Sequence, residues 1–309
     1  MRNNSNIKRL TQKYFERVRI GIENARNKSW IKDYNKITWT EETFNVVWGC
    51  TKVSEGCRNC YAASLSKRLG FSQDGEREFL WGKSGITASG KGWMMEKGRR
   101  IFPENNLQQL IQWNRMAEAN NSMLIVFIGN MNDMFEDHPV TRRELAKLWD
   151  VVRETPNIHY QFLTKRPENI RECLPKDWFD FDNGYPNVWL GCSIENQSVA
   201  FRFDKYLADI PAPVKFISYE PAIGPLTDLR WDKLDWIIAG GESGPRYRPL
   251  DLQWAREVRD LAAKNNVTFF FKQSAHLYPG RGTKLDGVQH YNFPMPKTST
   301  LQNEIGLAI

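Results

Sequence analysis

From Ile37 onward, short runs of apolar, β-forming residues alternate with helical stretches, and this alternation constrains the fold more than any other feature of the chain. Strand candidates fall at 43–48, 123–129, 158–163, 187–193, 214–219, 235–240 and 267–272. Helix candidates fall between them at 60–69, 104–119, 141–154, 195–209 and 251–265. Strands that are apolar along their whole length are buried on both faces, as in a parallel sheet covered by helices. Seven such strands predict an α/β chain folded as a full or partial βα-barrel, with an open doubly wound sheet as the alternative. The interval 70–103 interrupts the pattern with Gly, aromatic and basic residues. A stretch of that kind is expected to be a functional loop, a lid or a hairpin insertion.

In parallel α/β proteins the chemistry sits at the carboxyl ends of the strands. Here those ends are polar: Asn130 and Asp133, then Lys165 and Arg166, then Ser193, Glu195 and Asn196, then Glu220. The last two strands run into Gly240, Gly241, Glu242 and Ser243, and into Lys272 and Gln273. Singly, each could be a helix cap or a turn. Together they predict a ligand pocket of both charge signs, with Lys165, Arg166 and Lys272 placed to meet a phosphate or carboxylate. The glycine cluster would let backbone N–H groups approach an anion, although no Walker A lysine follows it.

The net charge of +7 is confined to one end: residues 1–36 hold ten Lys/Arg and three acids, and the rest of the chain balances. In this arm Ile7, Leu10, Tyr14, Val18, Ile22 and Ala25 recur at helical spacing. The arm is therefore read as an amphipathic helix, either packed on the body or contacting nucleic acid. The chain divides into this arm, a barrel domain over 37–295 and a tail over 296–309. The first residues lack the apolar stretch of a signal peptide and no run is long enough to span a membrane, so a cytoplasmic protein without a membrane partner is expected.

Three of the five cysteines cluster as Cys50-x6-Cys57-x2-Cys60, between the first strand and the first helix. Reduced thiols so grouped point to a metal. Zinc needs a fourth ligand, whereas Cys173, Cys192 and the histidines (His138, His159, His276, His290) are all remote in sequence. Three thiolates suit a [4Fe–4S] cluster with one iron open. Zinc and simple buried or redox thiols stay as alternatives. Cys192 reads as a core thiol.

The stretch Trp48 to Ala62 (WGCTKVSEGCRNCYA) also carries a resemblance. With Asn130 to Phe135, Phe162 to Pro167, Ser193 to Gln197, Tyr219 to Pro221, Gly240 to Gly244 and Phe270 to Gln273, it resembles a phage- and prophage-associated three-cysteine family of unknown function, classed as radical-SAM-like. The resemblance implies a barrel whose open cluster iron binds S-adenosylmethionine (SAM). It also implies an electron donor such as flavodoxin or ferredoxin, and a dedicated phage-encoded partner protein. The first cysteine gap, x6, exceeds the x3 of the main radical SAM pattern, and Gly-Gly-Glu follows the sixth strand rather than an early one. Two functions are expected. One is a radical SAM enzyme acting on a nucleotide or nucleic acid; the other is a non-catalytic nucleic-acid-binding protein with a structural Fe–S or Zn site.

Overall fold

All seven apolar runs supply strands to one parallel sheet, and these strands stand side by side in chain order. The structure, a computed structural model, describes residues 2–29, 37–68 and 94–297. Helix α1 (Arg2–Ser29) is followed by β1 (Glu42–Phe44), β2 (Val47–Trp48), a 3-10 turn at Glu55–Cys57 and α2 (Tyr61–Arg68). Next come β3 (Met94–Glu96), β4 (Arg99–Ile101), α3 (Gln108–Ala119), β5 (Leu124–Ile128) and α4 (Pro139–Glu154). The chain continues through β6 (Ile158–Thr164), α5 (Ile170–Cys173), β7 (Val188–Ser193) and β8 (Val214–Tyr219). It closes with β9 (Trp236–Gly240), α6 (Leu252–Lys264) and β10 (Thr268–Gln273).

The sheet order β1-β5-β6-β7-β8-β9-β10 has no switch point, so the doubly wound alternative is wrong and the sheet curls into a half-barrel. Period-two alternation sorts its residues between two cores. Val126, Phe162, Leu190, Ile217, Ile237 and Phe271 face outward into the core that takes in Leu145 and Leu148 of α4 and Val258 of α6. Ile125, Phe127, Trp189, Phe216, Trp236, Ile238 and Phe270 face the concave side. Trp39 packs among them, its ring centroid 4.6 Å from that of Phe127.

Helix α1 fills the rest of that concavity with Tyr14, Val18, Ile22 and Ala25, all buried as the spacing predicts. Ile7 and Leu10 lie outside the part of the helix whose side chains are described. Gly21 makes the close approach possible, since a Cβ there would stand 2.4 Å from the Met123 carbonyl oxygen. Two of the arm's basic residues are structural. Arg17 is buried and donates to the Ser122 carbonyl (3.3 Å) and to Asn157 Oδ1, and Arg26 donates to the Tyr291 carbonyl (3.1 Å).

Beneath the helix lies His159, 1% exposed, whose Nδ1 accepts from Trp189 Nε1 at 3.1 Å. Its Nε2 finds no partner among the described residues. Burial, reinforced by the Arg17 charge, pushes its pKa down to about 3. The unfolded chain, with a His pKa of about 6.5, therefore binds a proton that the folded chain refuses. Stability from this site is full above about pH 6.5 and falls by up to about 1.4 kcal/mol per pH unit as pH drops toward 3. Urea titrations between pH 7 and 4 should show His159→Gln losing that part of the acid slope. An unchanged slope would assign acid sensitivity to other groups.

Two expectations need correction. The run 43–48 is broken at Asn45, whose carbonyl accepts from Asn106 Nδ2 (3.0 Å) while its Oδ1 accepts from the Met131 N–H (3.1 Å). Only β1 stays in the large sheet; β2 pairs with β4 in a small antiparallel sheet ordered β2-β4-β3. The helix expected over 195–209 is a 3-10 turn at Gln197–Val199 and a π-helical stretch at Arg202–Leu207. This carries Arg202 back onto the strand end, where it donates to the Ser193 carbonyl (3.0 Å) and to Glu195 (2.7 Å). The end of the interval 70–103 is the β3–β4 hairpin, one of the forms expected of it, and its basic residues Arg99 and Arg100 are buried. Residues 69–93, like 30–36 and 298–309, lie outside the described residues.

Candidate functional site

The three clustered cysteines are free thiols, half-buried, and open into one pocket at the carboxyl ends of the strands. Cys50 follows Gly49, whose positive φ of 107° turns the chain out of β2 while its N–H donates to the Met131 carbonyl (3.1 Å). Cys57 ends the 3-10 turn, its N–H donating to the Ser54 carbonyl (2.9 Å). Cys60 immediately precedes α2. None of the four histidines lines the pocket.

Three buried glutamates from the ends of three strands hold this loop, each beside one cysteine. Glu136, after β5, accepts from the Thr51 N–H at 2.7 Å. Glu195, after β7, accepts from the Gly56 N–H at 3.3 Å, and a Cβ at Gly56 would stand 3.0 Å from its carboxyl carbon. Glu242, after β9, accepts from Asn59 Nδ2 at 2.9 Å. Each carboxylate is balanced by an arginine: Glu136 by Arg99 (2.7 Å), Glu195 by Arg202 (2.7 Å) and Glu242 by Arg248 (2.7 Å). Burial works against the Glu242 carboxylate, but the hydrogen bonds from Arg248 and Asn59 outweigh it and hold its pKa below the ordinary value.

Arg166, expected to meet a ligand anion, is a fourth strut. Its guanidinium donates to the Thr51 carbonyl (2.5 Å) and to Asp133 (3.2 Å), and lies 3.5 Å from Glu136. Asp133 is likewise filled: it accepts from the N–H groups of Phe135 (3.1 Å) and Lys165 (3.0 Å), from Thr164 Oγ1 (2.7 Å) and from Arg166. Burial pushes the Cys50 thiol well above the usual thiol range. Cys60, Glu136 and Asp133 add to the shift and Arg166 opposes it.

Of the other polar residues read from the strand ends, Asn130, Lys165, Ser193, Glu220, Ser243 and Lys272 line the pocket together with Asp133, Arg166 and Glu242. Asn130 is engaged by Asn45 Nδ2 and by the Tyr61 hydroxyl, each at 2.5 Å. Lys272 and Glu220 pair at 2.7 Å, while the Lys165 ammonium has no partner among the described residues. Five residues fall outside the lining. Glu195 is the anchor already described, and Asn196 caps a 3-10 turn by accepting from the Ser198 N–H (3.0 Å). Gln273 ties the Gly241 carbonyl (3.0 Å) to the Gly280 N–H (2.7 Å). Gly241 does not cradle an anion: its N–H donates to the Gln273 carbonyl, and a Cβ there would stand 2.3 Å from the Ala275 nitrogen. Gly240 ends β9 outside the lining. Sequence reasoning missed Asn59, Thr51 and the apolar floor of Trp39, Phe127 and Leu163.

Among the described residues, no group of three or more His, Cys, Asp and Glu is arranged to hold one metal ion. No helix among them is long and apolar enough to cross a membrane. A family model described as "Protein of unknown function (DUF5131)" matches residues 34–294, and no curated protein matches the chain.

Proposed function

The chain belongs to the DUF5131 family of proteins of unknown function, and from its pocket we propose a radical SAM enzyme with a [4Fe–4S] cluster held by Cys50, Cys57 and Cys60. The observation that carries this reading is the donor set. Three thiols open into one pocket, while the neighbouring carboxylates Asp133, Glu136, Glu195, Glu220 and Glu242 are each taken by a cation. A cubane takes one thiolate per iron, so its three sulfurs stand further apart than ligands around a single ion, and one iron is left open. That suits three separate loop positions better than zinc does, since zinc wants four donors converging on a point.

Held by Cys50, Cys57 and Cys60, such a cluster would supply one electron, received from a flavodoxin- or ferredoxin-type donor, for reductive cleavage of the C5′–S bond of SAM to methionine and a 5′-deoxyadenosyl radical. The protein's own part is positional. Trp39, Phe127 and Leu163 floor the pocket and exclude water. Lys165 and the Glu220–Lys272 pair offer a cation and a balanced pair to charged groups of the ligands.

Anaerobic reconstitution with iron and sulfide, followed by dithionite and SAM, tests the reading. A brown protein with about four irons per chain and 5′-deoxyadenosine as product are expected. Tightly bound stoichiometric zinc with no cleavage of SAM would overturn it in favour of a structural metal site.

A further inference from the structure

We propose that the loops after β9 and β10 form a platform on which bases of single-stranded nucleic acid stack, so that the pocket's substrate is a nucleotide within such a strand. The second half of this statement rests on the proposed activity; the first does not. Tyr247, in the loop after β9, is 41% exposed, and Tyr278, after β10, is 60% exposed. His276 lies between them. Its ring is within 14° of parallel to Tyr247 at a centroid distance of 6.5 Å, and 6.0 Å from the ring of Tyr278.

The loops that carry these rings are tied to each other. The Gly244 N–H donates to the His276 carbonyl (3.1 Å) and the His276 N–H to the Glu242 carbonyl (3.1 Å), zipping the two loops together. The Tyr278 N–H donates to His276 Nδ1 (3.0 Å), which orients the imidazole. The platform also adjoins the pocket: Ser243 is part of its lining, and Asn59 of the cysteine loop donates to the Arg246 carbonyl (2.7 Å).

Charge selects the occupant. Residues 241–251 and 274–286 contain Arg246, Arg248, Arg281 and Lys284 against Glu242, Asp251 and Asp286, of which Glu242 is paired with Arg248 and Asp286 with Arg256 and Arg259. Arg248 is used by Glu242, whereas Arg246 and Lys284 are exposed at the surface. Exposed aromatic rings on loops tied together beside cations match the chemistry of unpaired bases on a phosphate backbone. A duplex hides its base faces and gains only from the charge. The N-terminal arm, which first suggested nucleic acid, instead spends Arg17 and Arg26 on packing.

Fluorescence anisotropy of the full chain with labelled single-stranded oligo-dT, oligo-U and a duplex of equal length provides the test. Both single strands should bind more tightly than the duplex. The double variant Tyr247→Ala/Tyr278→Ala should lose roughly ten- to a hundred-fold in affinity, and Tyr→Phe at both positions should retain it. Arg246→Gln should lower the slope of log K against log salt by about 0.7. Both tyrosines are exposed, so an unchanged thermal midpoint separates lost stacking from lost fold. Equal binding of duplex, indifference to the double variant, or displacement by polyglutamate as readily as by oligonucleotide would overturn the platform. Absent binding alongside intact 5′-deoxyadenosine production would remove this inference and leave the enzymatic reading standing.

Discussion

Cys57→Ala is expected to give a folded, colourless protein. The Cys57 side chain belongs to none of the hydrophobic clusters, and the backbone around it is held by Glu195 and by the Ser54 carbonyl rather than by its sulfur. Removing the sulfur therefore leaves the loop in place and takes away one of three covalent ligands. Iron after reconstitution should fall from about four per chain to near zero, and 5′-deoxyadenosine should become undetectable. The thermal midpoint of the metal-free chain should stay within a few degrees of the parent. Cys192→Ala is the contrasting control. That thiol is fully buried in the outward core, so its loss should cost about 1 kcal/mol or more in urea while leaving iron unchanged. Iron loading by Cys57→Ala equal to the parent would end the cluster assignment.

Glu136→Ala should be the most destabilising single change near the site. Arg99 is 1% exposed and meets Glu136 through two parallel bonds, Nε at 2.9 Å and Nη2 at 2.7 Å. Without the carboxylate, that buried guanidinium loses the charge that Glu136 supplies and the Thr51 N–H loses the Glu136 acceptor. Breaking one side of a buried pair costs about 3–5 kcal/mol. The midpoint of thermal unfolding should then drop by on the order of 10 °C. The double variant Arg99→Met/Glu136→Met should recover most of that loss, because an apolar pair strands no charge. If the double variant is as unstable as the single one, the damage comes from packing and not from electrostatics.

The strands were legible because burial on both faces leaves an unbroken apolar run, which a few residues suffice to reveal. Helix α1 was legible for the related reason that Tyr14, Val18, Ile22 and Ala25 mark one face. The π-helical stretch at Arg202–Leu207 was not, since an α- and a π-helix share nearly the same local pattern and the choice depends on where Arg202 must reach. Asn45 ends a strand through partners about 60 and 86 positions away, which no local window contains. The candidate site divides in the same manner. Polar residues at strand ends announced a site, and the cysteine spacing announced its chemistry. Which carboxylates face a ligand and which brace the loop depended on the arginines opposite them, and Arg99, Arg202 and Arg248 come from three separate parts of the chain. Glu136 therefore carries no local signal in the sequence, and Glu195, expected among the ligand contacts, is engaged by Gly56 and Arg202.

The glutamate anchors have a consequence for how the cysteine loop can change. They grip Thr51, Gly56 and Asn59, and between the first two the chain bows outward, with Lys52, Val53 and Glu55 exposed. Spacing along the chain is thereby uncoupled from spacing in the pocket. A residue added in that bow would be taken up at the surface, between two ends that the carboxylates hold. What has to be kept is the grip of the carboxylates, not the count between the cysteines.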